Sequence, residues 1–466
     1  MSGQRILVDA VDFQIACRRF TIRATVTRDR QLGVVDEYVL RLLAILERMP
    51  IARLRAWFGF SESEMQTVLL HLGELKSWIE LDGDDVLLAP AGRDLFRTVG
   101  TDGIPQIVEV SPLIADVWFD LVSRNMVPRS RPHNVDYLIK LREQPGARDL
   151  PEAFAREAFE ANFRHYARHI RRLPDPDTIN LYSVSDVHGG GYAYQVLPAG
   201  LSFDLEKLTV RPSFPEIEDG GASFQKLTIA ASDAWQVLNP PDPTNAAVAE
   251  FERMTGHAQL TALLQDPKSS QAWSDAMAAQ KTDAFMPTIG AAYLEENISP
   301  LMDVISSAGS SGEPVEIVWL RPGGTAWGRT LRVAESLHEL REMLRNAGVH
   351  EVTTKLVMPR ATHRSVRTTH RRLFDSGVLP PHGHLPANLE VILVHRVVAL
   401  VNVCLPVGGH SVPIGGLVTD PKRLARIADK LTRSEEGNWE VLWQTAGPGG
   451  RKAKRTEAGI PRPRED

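Results

Sequence analysis

Cysteine is almost absent from this chain of 466 residues, with Cys17 and Cys404 its only two. They lie far apart, and neither has a second cysteine or histidine at zinc-ligand spacing, so a disulfide framework and a structural zinc finger are both excluded. Both thiols read as reduced core residues. Long apolar runs are also missing. The opening stretch MSGQRILVDAVDFQIACRRF scatters charges through its apolar residues, unlike a signal peptide or a membrane span. The sequence therefore predicts a soluble cytoplasmic protein with no membrane partner. Nor is there an excess of basic charge. Lys plus Arg total 53 against 58 Asp plus Glu, a net charge of −5. That balance excludes a uniformly basic coat for nucleic acid or membrane and confines any polyanion contact to a local patch.

What is present is a hydrophobic content of 43%, enough for packed domains, on a chain long enough for roughly three of them. The fold class expected is multidomain α+β: a winged helix, a helical and β-rich middle, and an α/β C-terminal domain. Residues 1–33 read as a β-ribbon leader, because RILVDAVDFQIACRRFTIRATVTR at 5–28 is rich in β-branched and apolar residues and supplies one or two strands. The period then changes. Val35, Val39, Leu42, Leu43 and Leu46 fall at helical spacing, Ile51–Phe58 makes a second helix, and Ser61 with Glu64 three residues later forms a capping box for a third. Strands around the Asp82-Gly83-Asp84 turn follow, and Ala91-Gly92-Arg93-Asp94-Leu95-Phe96 opens another helix.

This order over residues 34–100 resembles the winged-helix family, whose members combine three helices with a hairpin wing. The resemblance implies a third helix offered to DNA bases and phosphates. Here, however, that helix begins Ser61-Glu62-Ser63-Glu64 and the wing tip is Asp82-Gly83-Asp84-Asp85. Carboxylates suit a helix N-terminus but repel phosphate. The reading favours protein contact or a scaffold role over direct DNA reading, with both open.

Residues 101–305 read as a helical and β-rich middle region. Val117, Trp118, Leu121 and Val122 suggest one apolar helix face, and a long helix is expected at 151–172. INLYSV, YAYQVL, LSFDL and FQKLTIA suggest short strands, and helices return after the Pro-rich break at 239–243. SSAGSSG at 306–312 is a linker. Beyond it, 313–445 is an α/β domain, with a strand at 315–320, a helix at 330–346 and a second strand at 351–358. The charged, Gly/Pro-rich tail at 446–466 is expected to be disordered.

The C-terminal domain, ending VHRVVALVNV and GGLVTDPKRLARIADKL, resembles the C-terminal half of phospholipase D-like domains, including degenerate ones attached to helix-turn-helix regulators. Active members need H-x-K-x4-D. None of the 14 histidines here has Lys two positions later. His370-Arg371-Arg372 and His395-Arg396-Val397 are fragments at most, so the resemblance implies a catalytically dead domain, and an unrelated α/β fold remains open. The same region concentrates Arg360, His363, Arg364, Arg367, His370, Arg371 and Arg372. Arginine forks pair well with phosphates. Arg360, Arg364, Arg367, Arg371 and Arg372 are therefore the candidate nucleic-acid or phosphate contacts, against the plainer reading of a solvated face paired to acids. Arg164, His165, Arg168, His169, Arg171 and Arg172 carry the same ambiguity.

Other motifs fall short. His165 and His169 lack the glutamate of H-E-x-x-H. Ser185-Asp186-Val187-His188-Gly189-Gly190 resembles the first metal motif of calcineurin-like phosphoesterases, with His382-Gly383-His384 as a loose late partner, but the intervening ligands are missing. An Asp/Gly-rich turn is the simpler reading. RPGGTAWGR at 321–329 has no P-loop or dinucleotide spacing and reads as a turn. Glu295-Glu296 and Asp219-Gly220 have no acid/base partner. No catalytic residue, metal site or cofactor is assigned. The function expected is a non-enzymatic regulatory or accessory protein with protein partners and a local nucleic-acid contact, in a bacterial DNA-handling, transcription or phage-defence system. The competing class is a phosphodiesterase or nuclease.

Overall fold

The computed structural model describes residues 5–96, 106–128, 135–214, 221–238, 245–308, 313–432 and 439–445. The tail at 446–466, the Pro-rich break at 239–243, residues 309–312 of the expected linker and Asp219-Gly220 lie outside them. Helices and strands are mixed throughout, in several sheets. Among the described residues no helix is long and apolar enough to cross a membrane. The chain divides into two compact units, one of residues 16–132 and 143–194, the other of 1–15, 133–142 and 195–466.

In the first unit, residues 34–96 form helices Val34–Leu46, Ile51–Phe58 and Glu62–Leu69, the last running on through a wider helical turn at Leu70–Leu75. A small antiparallel sheet places Asp85–Leu88 between Arg48–Pro50 and Ile79–Asp82. The capping box forms. Ser61 Oγ accepts from the Glu64 amide at 3.3 Å, and Glu64 Oε2 accepts from the Ser61 amide at 2.8 Å. Those hydrogen bonds hold the Glu64 carboxyl below its ordinary range. Val39, Leu43, Leu54, Met65, Leu72 and Val86 share one buried core. Gly92, in the short helix Pro90–Asp94, packs so tightly that a Cβ there would stand 2.2 Å from the Trp78 carbonyl oxygen. Gly92→Ala should therefore lower stability by about 2–3 kcal/mol, read as a lower urea midpoint.

The rest of this unit departs from expectation. Residues 106–120 are a strand, Gln106–Asp120, and not part of a helical region. Val117 and Trp118 do not share a helix face. Ala115, Val117 and Phe119 point inward while Asp116 is exposed, the period-2 pattern of a strand. Its partner is the expected ribbon leader, which is one strand, Arg5–Gln31, paired antiparallel from Cys17 to Gln31. INLYSV, the Asp/Gly segment, YAYQVL and LSFDL are likewise one strand, Ile179–Asp204. Asp186–Gly191 therefore make no turn. Gly190 lets the chain stay extended, because a Cβ there would lie 3.2 Å from the Arg19 carbonyl. The helix expected at 151–172 begins as Glu152–Ala161 and breaks at Asn162 before Phe163–His165 and Tyr166–Ile170.

The second unit is built on an eight-stranded mixed sheet. Its order is Phe285–Ile289, His410–Val418, Val398–Val407, Leu389–Val394, Val315–Leu320, Val352–Val357, Ser376–Leu379 and Glu440–Gln444. Val315–Leu320 and Val352–Val357 run parallel, joined by helix Arg332–Asn346, which buries Val333, Leu337, Leu340 and Leu344. Phe285–Ile289, from the expected middle region, pairs with His410–Val418 in this sheet. The central strands read LEVILV and VALVNVCLPV, apolar on both faces as buried strands must be, except for Glu390 and Asn402.

Candidate ligand pocket

Glu390 sits in the middle of strand Leu389–Val394 and is 1% exposed. A carboxylate so placed must be surrounded by donors or it would not ionise. Four reach it. Trp327 Nε1 donates to Oε1 at 2.6 Å, Trp319 Nε1 to the same oxygen at 3.4 Å, the Ala292 amide to Oε2 at 2.9 Å and Asn402 Nδ2 to Oε2 at 3.5 Å. Burial raises its pKa and these hydrogen bonds oppose the rise.

Each donor is held by a local device. Asn402 also donates to the Gly290 carbonyl at 3.1 Å, while Asn297 Nδ2 spans the carbonyls of Ile289, Gly290 and Ala291, fixing the loop that carries Ala292 and Tyr293. Trp327 belongs to RPGGTAWGR, which is a loop but not a passive turn. Asp12 accepts from Thr330 Oγ1 at 2.9 Å and from the Leu331 amide at 2.7 Å, binding the end of that loop to the N-terminal strand. Arg321 is fully buried, donates to the carbonyls of Pro322 and Gly324, and lies 4.9 Å from the Trp327 ring centroid. Its Nη1 has no partner among the described residues, and burial pulls its pKa down to about 9.

Asp9, Tyr293, Trp327 and Glu390 line a cavity of about 290 Å³ together with the apolar Leu201, Trp235 and Leu238 and the segment Gly408–Ser411. The Tyr293 hydroxyl and the Ala10 amide both donate to Asp9 Oδ1. Oδ2 receives no hydrogen bond among the described residues. Desolvation, with a smaller contribution from the Glu390 charge, lifts the Asp9 pKa from 3.8 to about 7. Between those two values the folded chain holds a proton that the unfolded chain has lost, so stability falls as pH rises across that window. Asp9→Asn should remove that slope, its stability gain over wild type growing from pH 4 to pH 8 in urea denaturation. Cys404, also lining the cavity, has its thiol pKa raised well above the ordinary value by burial, which keeps it protonated and unreactive.

The candidate arginines are largely committed inside the chain. Arg360 donates to the Pro380 carbonyl and pairs with Glu440 at 2.8 Å, Arg367 donates to the carbonyls of Thr362 and Arg360, and Arg372 pairs with Asp136 at 3.1 Å. The side chains of Arg364 and Arg371 are exposed and make no hydrogen bond or ion pair among the described residues. Arg364–Val366 is a single tight turn, so the segment presents no helix face.

His370 and His395 are not brought together on one surface. His370 is 1% exposed, donates from Nε2 to the Gly328 carbonyl at 2.8 Å, and is held neutral by burial with a pKa of about 3, while His395 is exposed in the turn after Leu389–Val394. Asp186 and His188 pair with each other at 2.7 Å on an exposed strand. Among the described residues no three His, Cys, Asp or Glu side chains are grouped to hold a metal. The His165 and His169 rings are tilted by 33° with centroids 5.0 Å apart.

None of Asp9, Tyr293, Trp327 and Glu390 stands out by motif. The available signal was polar residues inside otherwise apolar strands, Glu390 in LEVILV and Asn402 in VALVNVCL. No family model and no curated protein matches the chain. Among solved structures the chain is similar to TrmBL2, an archaeal chromatin protein described as showing a novel mode of DNA binding. The identity is 10% and the TM-score 0.19, over 48% of this chain and 70% of that one, which does not establish a shared fold.

Proposed function

We propose that the chain is a non-enzymatic, ligand-responsive regulatory protein, combining a winged-helix module at 34–96 with a small-molecule pocket in its α/β unit. The observation that carries this reading is the state of the pocket's polar groups. Glu390 has both oxygens filled by the chain's own donors, the Tyr293 hydroxyl is given to Asp9, and the Cys404 thiol is protonated. Groups so satisfied bind and orient; a nucleophile would need an adjacent base to activate it.

The winged-helix module supplies the macromolecular contact. Exposed Tyr38, Ile45, Trp57 and Leu75 favour a protein partner for it, which agrees with its acidic third helix. Nucleic acid, where bound, is met by Arg364 and Arg371. The pocket reading is tested by a thermal-shift screen of small metabolites against wild type and Ala326→Trp, which fills the cavity. Compounds that raise the melting temperature of wild type but not of the variant are expected; identical responses would sink the reading. For nucleic acid, fluorescence anisotropy with a labelled duplex at several salt concentrations should show the salt slope reduced by about two in the Arg364→Ala/Arg371→Ala variant. Equal slopes would remove these arginines.

A further inference from the structure

We infer that the cavity of the α/β unit takes a small organic cation, an alkyl or aryl ammonium, with its charged head at Asp9 Oδ2 and its apolar body against Trp235, Leu201 and Leu238. This rests on the pocket reading above and adds the chemical class of the ligand.

Charge complementarity is the first argument. The cavity is lined by two carboxyl groups, Asp9 and Glu390, and among the described residues no lysine or arginine lines it. His410, also lining the cavity, has its pKa lowered by burial, so it offers no compensating cation near neutral pH. Tyr293 and Cys404 are held protonated. The nearest guanidinium, Arg321, is turned to backbone carbonyls and to the ring of Trp327. An anion entering this space would meet two carboxyl groups and no lining lysine or arginine among the described residues, in a medium that screens charge poorly.

The second argument is the acceptor left over. Glu390 is saturated, whereas both donors to Asp9 go to Oδ1. Asp9 lines the cavity beside Leu201, Trp235 and Leu238, and its Oδ2 is left without a donor among the described residues, so an N⁺–H group there would make a short charge-assisted hydrogen bond. The Trp327 ring already carries the Arg321 guanidinium, which weakens its appeal to a second cation. That leaves the carboxylate as the seat of the charge and the aromatic wall as the seat of the body. A volume of about 290 Å³ suits a ligand the size of a benzyl or indolyl amine.

Binding of a cation requires Asp9 ionised, and its pKa in the empty site is about 7. Below that value binding must release a proton and weaken by up to tenfold per pH unit; above it the affinity levels off. Glu390 is the other acid lining this space, and its charge is among the causes that raise the Asp9 pKa.

The test is isothermal titration of the full chain with three indoles that differ in the head group: tryptamine, tryptophol and indole-3-acetate, with benzylamine and benzyl alcohol as a smaller pair. Titrations at pH 6 and pH 8, each in two buffers of different ionisation heat, also count protons. The amines are expected to bind at least about tenfold tighter than the alcohols, with the acetate not binding. A proton should be released at pH 6 and not at pH 8. Asp9→Asn should remove both the amine preference and the proton release, and its fold is checked by circular dichroism. Alcohol or acetate binding as tightly as amine, and lost in Ala326→Trp, would overturn the cation and leave the pocket standing. Binding by none of the probes would overturn both.

Discussion

Glu390→Ala is expected to lower the unfolding free energy by about 3–5 kcal/mol, measured by urea denaturation followed by tryptophan fluorescence. The two short hydrogen bonds, from Trp327 Nε1 and the Ala292 amide, would leave buried donors unmet at about 1–3 kcal/mol each. The longer bonds from Trp319 and Asn402 contribute less. Relief of the carboxylate's own desolvation offsets part of the loss. Glu390→Gln separates shape from charge. It keeps the volume but turns an amide N–H₂ toward donors, so a smaller loss of about 2–3 kcal/mol is expected. Wild-type stability in the alanine variant would show that Glu390 is a passenger in the sheet.

Trp327→Ala is the second large effect. The indole joins five neighbours: Trp319 at a centroid distance of 5.7 Å and near-perpendicular, His370 at 5.2 Å, Tyr293 at 6.4 Å, the Arg321 guanidinium, and Glu390 through Nε1. Removing it opens a cavity beside a buried cation, and a loss of about 3–5 kcal/mol is expected. Trp327→Phe keeps the ring and loses the N–H, so about 1–2 kcal/mol should follow. Because Trp327 and Glu390 share a hydrogen bond, their effects should not add. A double-mutant cycle should give a coupling of about 1–3 kcal/mol, and additivity would mean that the bond contributes nothing.

These two residues also mark what was hard to read. RPGGTAWGR was legible as a loop, since Pro322, Gly323 and Gly324 cannot sustain a helix or central strand. Nothing local shows that Arg321 and Trp327 would be buried there, because that depends on Asp12 and Glu390, hundreds and tens of residues away in the chain. The arginine-rich segment is the opposite case. Its charge was plain, but Arg360, Arg367 and Arg372 are spent on Glu440, on nearby carbonyls and on Asp136, partners that no spacing rule connects. Strand Gln106–Asp120 was missed because Val117, Trp118, Leu121 and Val122 also fit a helical period. Only its pairing with Cys17–Gln31 selects the alternating face.

The sequence by itself determined the helices and hairpin of residues 34–96, the capping box at Ser61, and the β-α-β order around Arg332–Asn346. In each of these, periodicity, capping and turn chemistry act within a few residues. Tertiary structure alone decided that Asp9, from the first strand, would meet Tyr293, Trp327 and Glu390 around one cavity. Burial, which sets the protonation of every acid there, is a property of what the rest of the chain packs around a residue and not of its neighbours in sequence.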